Sequence, residues 1–484
     1  MSHKPAAPLK LCFIPYFGSA IHTFPLLDIA RFFAFHGQNV TIITTPSNAT
    51  SRIKKVLNNE TNPSDHRIFI HTISLPLRQV GLNDDFNDLE YPQDPNIGLK
   101  LFQAIHLLRA PIQEFLTANP TDCIVSDGLF PWYADMAAEL NVPSVSYNSL
   151  GAFASCVLEG LRSTDSPHHQ MEFTDQPFIV PGLPIEIKLT KDELPGHFTA
   201  MLEAVRECEL KSYGVIFDSF QELDSDFVNH YSKLTGSRVI TIGPAAEIHR
   251  KITGRIERSF NLEKTEHDEC LTWLNSKNPN SVLYINFGNE STDVKFSNEQ
   301  LIKIASALES SGREFIWVVA EKENEKLEDE QKWLPIGFHD NVKGRGKVIK
   351  GWVPHLSILN HSSVGGFMGR CSLVSILEGF SAGVPLITFS SSFEQFYVEK
   401  FLVANGGGLG LGGNKIVSRE SINKAIEELM DDKREKTKEM RRKVQEYAKM
   451  AKGAVEEGGS SYNNVMNLIQ QLQMLRDNKN NTYN

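Results

Sequence analysis

Two residues that lie far apart in the sequence, a histidine and an aspartate, could together perform acid–base chemistry. His22 follows a short apolar run, LKLCFIP, that is typical of a buried strand, and Asp127 directly follows a second such run, CIVS. A carboxylate bound to an imidazole fixes its tautomer and stabilises its cation, which leaves the other ring nitrogen to act as a general base. The sequence positions alone equally allow an aspartate that caps a helix and a histidine that has no partner.

Strand–helix–strand units recur along the chain and would position these side chains. The chain starts with a strand, a helical segment that ends at Gly37, and the β-branched run NVTIITT, and the same order recurs around Asp127 and after residue 280. Such units build parallel sheets, whose ligands bind beyond the carboxyl ends of the strands. We therefore predict an α/β fold of two Rossmann-like domains that face one another, with the ligand site in the cleft between them.

A polar segment marks the boundary between the two halves. Residues 245–268 follow a Gly-Pro pair and show little periodicity, which is typical of an interdomain linker. The sequence thus predicts an N-terminal domain over residues 1–244, a linker over 245–268 and a C-terminal domain over 269–460. Residues 461–484 are expected to form a last amphipathic helix and a polar tail.

Composition and charge exclude several classes of protein. The net charge of −10 and the pI near 5.9 argue against a nucleic-acid partner. The start of the chain lacks the pattern of a signal peptide, and no run of about 18 apolar residues could span a membrane. The six cysteines are far apart and form no CxxC pair. We therefore expect no metal site, no integral membrane association and a reducing, cytoplasmic location.

Three short motif matches have simpler explanations. Residues 379–383 fit GxSxG, but the nucleophile elbow of hydrolases needs a strand before the serine and a helix after it, and the order here is reversed. Residues 408–413 fit GxGxxG, but no helix opens on them, which favours a glycine-rich strand edge or turn. His168 and His169 lie in a polar stretch with no further ligand spacing. A hydrolase that uses Ser381 is kept only as an alternative.

The segment from Trp352 to Gln395 carries the most specific pattern in the chain. Its informative residues are Trp352, Pro354, Gly365, Gly366, Phe367, Cys371, Ser375, Glu378, Gly379, Gly383, Val384, Pro385, Glu394 and Gln395. In these residues and in its length, the segment resembles the donor-binding box of the plant UDP-dependent glycosyltransferases. Segments such as VPGLP, WLPIGF and AVEEGGSSYNNV extend the resemblance over almost the whole chain. The chain looks most like family members that act on triterpenoids, sterols and flavonoids.

The resemblance implies a fold and a reaction. The fold would be of the GT-B type, with the acceptor on the N-terminal half, the UDP-sugar on the C-terminal half, and the last helix crossing back to the first domain. The reaction would move a sugar from a UDP-sugar co-substrate to a small-molecule acceptor, with inversion and without a metal. His22 matches the general base of the family, and Asp127 matches its partner.

The resemblance also assigns donor-binding residues. Trp352 matches the residue that stacks on uracil, and Glu378 matches the carboxylate that accepts both ribose hydroxyls. Ser375 and the amides of its helix start match the diphosphate cradle, where the helix dipole favours anions. Glu394 and Gln395 match residues that hold sugar hydroxyls.

The cradle departs from the family pattern His-Cys-Gly-Trp-Asn-Ser. Arg370 replaces the histidine and could still bind phosphate through its fork of donors. Ser372 replaces the glycine and adds bulk where the backbone would approach the ligand. Leu373 and Val374 remove an indole and an amide.

Three further donor-binding positions lie outside the cradle. His355 replaces a glutamine and can still reach a ribose hydroxyl, Asn289 replaces a serine, and Val353 follows the stacking tryptophan. Because the predicted base, its partner and the ribose carboxylate are kept, we expect an O-glycosyltransferase with an altered donor preference. The alternative is a catalytically impaired family member that acts as a ligand-binding or partner protein.

Overall fold

The structure is a computed structural model that describes residues 7–57, 63–84, 86, 88–89, 94–172, 176–258, 264–288, 296–319, 330–351, 353–391, 393–412 and 416–482. Asn289 and Trp352, both predicted to bind the donor, lie outside the described residues. The strands are β1 Lys10–Ile14, β2 Asn39–Thr44, β3 Ile68–Thr72, β4 Cys123–Asp127, β5 Ser144–Asn148, β6 Phe178–Ile179, β7 Lys188–Leu189, β8 Gly214–Phe217, β9 Val239–Thr241, β10 Val282–Asn286, β11 Glu314–Val319, β12 Gly346–Lys350, β13 Val364–Arg370, β14 Leu386–Phe389 and β15 Gly408–Gly410. The helices are α1 Ala20–Phe35, α2 Pro46–Asn48, α3 Lys54–Val56, α4 Pro95–Leu107, α5 Arg109–Ala118, α6 Tyr133–Glu139, α7 Gly151–Arg162, α8 Thr199–Lys211, α9 Gln221–Thr235, α10 Ala245–Thr253, α11 Lys264–Asn275, α12 Asn298–Ser311, α13 Phe338–Asn341, α14 His355–Leu359, α15 Leu373–Ala382, α16 Phe393–Ala404, α17 Arg419–Met430, α18 Glu435–Val455 and α19 Ser460–Thr482.

The chain divides into two compact units, each with its own parallel sheet. The first unit comprises Met1–Cys156, Gly196–Phe260 and Lys452–Asn484, and the second comprises Val157–Pro195 and Asn261–Ala451. Residues 157–195 thus belong to the second unit, although the chain before and after them belongs to the first. The sequence pattern did not predict this. Those residues include the short antiparallel pair β6–β7.

The sheet of the first unit has the strand order β3-β2-β1-β4-β5-β8-β9, and every pair is parallel. Strands that are covered on both faces are apolar throughout rather than alternating, as the runs LKLCFIP and CIVS are. β1 and β4 are neighbours, and Ile14 pairs with Ser126. The carboxyl ends of these two strands therefore lie side by side, where His22 and Asp127 were predicted to meet.

The predicted linker, residues 245–268, begins as a helix in the structure. α10 packs along α1, and Ile248 and Ile252, one turn apart, are both buried in the core of the first unit. The sequence pattern missed this helix because it is short and because its buried face also carries polar residues. α11 starts within the same segment, at Lys264.

A buried group of charged side chains joins α10 to α1. Arg31 is fully buried and donates to Asp65 through two nitrogens, at 3.1 Å each. Nη1 of Arg31 lies 3.1 Å from Nδ1 of His249, and Asp28 accepts from Nε of Arg258 at 2.8 Å. We call these five residues the α1 charge cluster.

The C-terminal helix α19 completes the core of the first unit. It packs on β9 and α9, and four of its apolar side chains are buried in the core, namely Val465, Leu468, Ile469 and Leu472. Its exposed side is mostly polar but also carries Met466, Met474 and Leu475, so the amphipathic pattern that the sequence predicted is present but incomplete. None of the helices in the described ranges is both long enough and apolar enough to cross a lipid bilayer.

The sheet of the second unit has the strand order β12-β11-β10-β13-β14-β15 and is parallel throughout. β10 and β13 are central neighbours, and Asn286 pairs with Gly369. A Cβ atom at Gly365 would lie 2.2 Å from the carbonyl oxygen of Asn280, so close backbone packing requires glycine at this position of β13. The carboxyl end of β13 leads directly to the start of α15.

Candidate catalytic and donor-binding sites

The residues predicted to act as general base and partner meet in the first unit. His22 lies in the first turn of α1, and Asp127 is the last residue of β4. Nδ1 of His22 lies 2.8 Å from Oδ2 of Asp127. The histidine side chain is 14% exposed and the aspartate side chain 2%. The fold therefore buries the carboxylate and leaves the imidazole as the more accessible group.

Asp127 uses both of its carboxylate oxygens. Oδ1 accepts a hydrogen bond from the backbone N–H of Leu129 at 3.0 Å, so the aspartate also caps the turn that follows β4. With Nδ1 of His22 donating to Oδ2, Nε2 carries the lone pair that a general base needs. Burial raises the pKa of Tyr147 well above its usual range, and the charges of Asp218 and Asp127 add to the effect. This phenol therefore stays neutral.

The start of α15, where a diphosphate cradle was predicted, is capped by its own serine. Ser372 is the N-cap residue, and its Oγ accepts from the backbone N–H of Ser375 at 3.2 Å and lies 2.8 Å from Oγ of Ser375. Its φ of −81° is an ordinary extended value, so the backbone does not require glycine here. Besides adding bulk, Ser372 thus accepts the backbone N–H of Ser375 and shares a hydrogen bond with its hydroxyl.

Arg370 lies at the end of β13, directly before this helix start. Its side chain is partly buried, and its guanidinium lies 5.4 Å from the ring centroid of Phe296, within the range of a cation–π contact. Leu373 and Val374, in the first turn of α15, are also partly buried. Arg370, which carries a fixed positive charge, therefore ends the strand that leads into α15, a helix whose first side chains are apolar.

Glu378, the predicted ribose carboxylate, is buried in α15 and faces the start of α14. Its Oε2 lies 3.3 Å from Nε2 of His355, so the structure brings these two predicted donor residues together. Val353, two residues before His355, is buried.

The two predicted sugar-binding residues open α16. Gln395 is buried, and its Oε1 accepts from the N–H of Ser391 at 2.9 Å and from the hydroxyl of Ser391 at 3.1 Å. Because both bonds go to Oε1, they fix the orientation of the Gln395 amide, and the amide nitrogen, which is a donor, is the polar atom that does not bind Ser391. Glu394 precedes it and is partly buried.

Two residues of this region were not predicted from the sequence. Tyr284 and Asn286 lie on one face of β10, and both contact Nδ1 of His355, at 2.9 and 3.4 Å. The available signal was the alternation in the strand SVLYINFG, which puts both polar side chains on the same side.

Metal-binding geometry is not found among the described residues, where no group of three or more His, Cys, Asp or Glu side chains could hold an ion. All six cysteines are buried free thiols. The absence of a metal requirement stays a prediction.

Comparison with known proteins gives consistent matches. The family model described as "UDP-glucoronosyl and UDP-glucosyl transferase" matches residues 261–444. UDP-glucosyl transferase 73CC6 of Saponaria officinalis is 42% identical over 495 residues, which cover 98% of each chain. Nuatigenin 3-beta-glucosyltransferase of Solanum aculeatissimum is 37% identical and covers 96% of this chain and 97% of its own.

A solved structure supports the same family as the sequence relatives do. UGT73P12 of Glycyrrhiza uralensis, complexed with glycyrrhetinic acid 3-O-monoglucuronide, matches with a TM-score of 0.87 and 32% identity over 99% of this chain and 98% of that chain. Its likeness and the two parallel-sheet units confirm the predicted GT-B fold class. Since relatives more than 30% identical cover almost its entire length, the chain belongs to the plant family of UDP-dependent glycosyltransferases.

Proposed function

We propose that this glycosyltransferase moves a sugar, with inversion, from a UDP-sugar to a hydroxyl of a small apolar plant metabolite of the triterpenoid, steroid or flavonoid kind. The observation that carries the proposal is the 2.8 Å contact between His22, in the first turn of α1, and Asp127, at the end of β4. The relative named nuatigenin 3-beta-glucosyltransferase and the solved structure that holds glycyrrhetinic acid 3-O-monoglucuronide support an acceptor of this kind.

The chemistry follows from the orientation of the histidine. Nε2 of His22 takes the proton of the acceptor hydroxyl, and Asp127 stabilises the imidazolium that forms. The acceptor oxygen forms a bond to the anomeric carbon, while the bond from that carbon to the diphosphate oxygen breaks and UDP leaves with the electron pair. Arg370 and the start of α15 stabilise the negative charge of the leaving group.

A transfer assay tests this proposal. The purified chain is incubated with a panel of UDP-sugars and with triterpenoid, steroid and flavonoid alcohols, with and without EDTA, and products are detected by mass spectrometry. We expect glycosylated products in both conditions. Absence of any product from every donor would reject the proposal. Loss of products only in EDTA would reject metal independence alone.

A ligand-binding or partner protein without turnover is the second candidate, and one observation favours it. Ser372 already accepts the N–H of Ser375 and shares a hydrogen bond with its hydroxyl, and these are the groups of Ser375 at which the diphosphate cradle was predicted. This candidate predicts that the acceptor binds while no sugar is transferred. It also predicts that UDP alone binds weakly or not at all.

Replacing Arg370 by alanine should weaken UDP binding at least about tenfold, which corresponds to roughly 1.4 kcal/mol. The reason is the loss of the fixed positive charge beside the helix start, where the diphosphate is expected. Isothermal titration calorimetry with UDP measures the change. Arg442→Ala is the matched control, because it removes one exposed arginine of the same unit, on α18. Equal affinities for both variants would show that Arg370 does not contact the diphosphate.

Replacing Ser372 by glycine should tighten UDP binding by about two- to tenfold, the worth of one hydrogen bond. The substitution releases the N–H and hydroxyl of Ser375 and costs only a few tenths of a kcal/mol of helix capping. Ser418→Gly is the control, because Ser418 caps α17 through the same bond, to Ser421, at 3.1 Å. Weaker UDP binding in Ser372→Gly would instead assign the Ser372 hydroxyl itself to the phosphate.

A further inference from the structure

A continuous chain of hydrogen bonds runs from the turn after β10 to Glu378. The N–H of Gly288 donates to Oδ1 of Asn286 at 2.8 Å, and Nδ2 of Asn286 donates to the Tyr284 hydroxyl at 2.9 Å. That hydroxyl lies 2.9 Å from Nδ1 of His355, and Nε2 of His355 lies 3.3 Å from Oε2 of Glu378. We call these four side chains the β10 relay.

The first link sets the direction of the relay. A backbone N–H only donates, so the side-chain atom of Asn286 that faces Gly288 is its oxygen, and the amide nitrogen faces Tyr284 and His355. That nitrogen lies 3.4 Å from Nδ1 of His355. Because an amide nitrogen only donates, Nδ1 is an acceptor, and the proton of the neutral imidazole sits on Nε2. The N–H of Nε2 then points at Glu378.

Packing holds the imidazole in this orientation. Tyr284 is fully buried and its ring stacks on Phe367 with centroids 5.4 Å apart. The His355 ring lies 5.5 Å from the Tyr284 ring and 5.6 Å from the Phe367 ring. The imidazole therefore packs against the rings of Tyr284 and Phe367, while its Nε2 faces the carboxylate of Glu378.

We propose that Tyr284 and Asn286 are positioning residues for the donor: they hold His355 in the Nε2–H tautomer, and this N–H fixes the Glu378 carboxylate in the orientation that binds the ribose of UDP. The inference rests on the proposed function of the second unit. The relay also joins the carboxylate to the backbone of Gly288 at the end of the chain of hydrogen bonds. A glutamine in place of His355 would not need the relay, because its amide nitrogen always carries protons and can donate to Glu378 without a choice of tautomer.

A double-mutant cycle tests this proposal, with calorimetry of UDP binding as the readout. Tyr284→Phe should weaken UDP binding about three- to tenfold, since it removes the nearer of the two groups that contact Nδ1 of His355 and leaves only the longer contact from Asn286, and should raise KM for the UDP-sugar with kcat nearly unchanged. In a His355→Gln background the same substitution should have no further effect, because a glutamine amide always offers an N–H. Equal losses in both backgrounds would overturn the proposal, as would unchanged binding in Tyr284→Phe.

A control and a ligand-free readout separate this inference from the proposed function. Tyr447→Phe removes a hydroxyl that donates to the backbone oxygen of Asn405 in the same unit, and should leave UDP binding unchanged. Nitrogen-15 NMR of histidine-labelled protein should show a proton on Nε2 of His355, assigned through His355→Gln, and a mixture of tautomers in Tyr284→Phe. A proton on Nδ1 in the wild type would overturn the relay even if UDP binds. The correct tautomer without UDP binding would overturn the donor role, and with it the positioning role.

Discussion

The His22→Ala enzyme should lose transfer activity by about 10²- to 10⁴-fold in kcat, the usual contribution of a general base. Binding of UDP should stay within error of the wild type, because the predicted donor residues all belong to the second unit. Activity is measured as initial rates at saturating donor and acceptor, and UDP affinity by calorimetry. Asp127→Asn should also lower kcat, since the amide keeps the shape of the carboxylate but cannot stabilise the imidazolium.

The control for this prediction is His106→Ala. His106 is an exposed histidine on α4 of the first unit, and its removal should leave kcat unchanged. If His22→Ala retained more than about a tenth of the wild-type rate with an unaltered melting curve, His22 would not be the base.

The Arg31→Met variant should open the packing of α1 and α10 at a cost of about 3 to 5 kcal/mol, because it removes the two hydrogen bonds that Arg31 donates to the buried carboxylate of Asp65. The expected result is a large loss of hydrogen–deuterium exchange protection in peptides from both helices. This local measurement suits a chain of two units, whose unfolding need not be a single transition.

The comparison for Arg31 is an ion pair at the surface. Arg109 donates to Glu139 at 2.6 Å on the exposed side of the same unit, and such pairs contribute about 0 to 1 kcal/mol. Arg109→Met should therefore change protection little. Equal protection in the two variants would mean that the α1 charge cluster does not stabilise the unit.

The α1 charge cluster should also make the first unit sensitive to acid. Burial alone would raise the pKa of Asp28, but Arg258, His249 and Arg31 lower it below its usual value. A carboxyl whose pKa is lower in the folded state stabilises it above the unfolded pKa, and this contribution is lost as the pH falls through the folded pKa. Protection of α1 should therefore decline at acidic pH, and less so in Arg31→Met.

The two parallel sheets could be predicted from local sequence patterns. The elements that were not predicted lie where the hydrophobic pattern is weak. Buried parallel strands are apolar runs, so the two sheets followed from sequence. The sequence positions left the pairing of His22 with Asp127 open, the family resemblance favoured it, and the structure places the two side chains 2.8 Å apart. α10 was missed because it is short and because its buried face also carries Glu247 and His249. The exchange of residues 157–195 between units depends on long-range packing, which leaves no periodic signal.

The donor site could be predicted as a set of positions but not as a network. Matching residues placed Glu378 and His355 in the site, and the structure puts them 3.3 Å apart. The cap formed by Ser372 was not predicted, although a serine directly before a helix is a common N-cap. The role of Tyr284 could not be recognised from the sequence, because a tyrosine in an apolar strand is typical of an ordinary core position.

The completion of the first unit by α19 has a consequence for synthesis on the ribosome. Four core side chains of α19 arrive only after residues 261–451 have been translated. At about 5 to 20 residues per second, the N-terminal sheet emerges roughly 10 to 40 s before the helix that covers its last strand, β9. The nascent chain therefore carries an uncovered apolar surface for that interval, and truncation before Ser460 would make the exposure permanent.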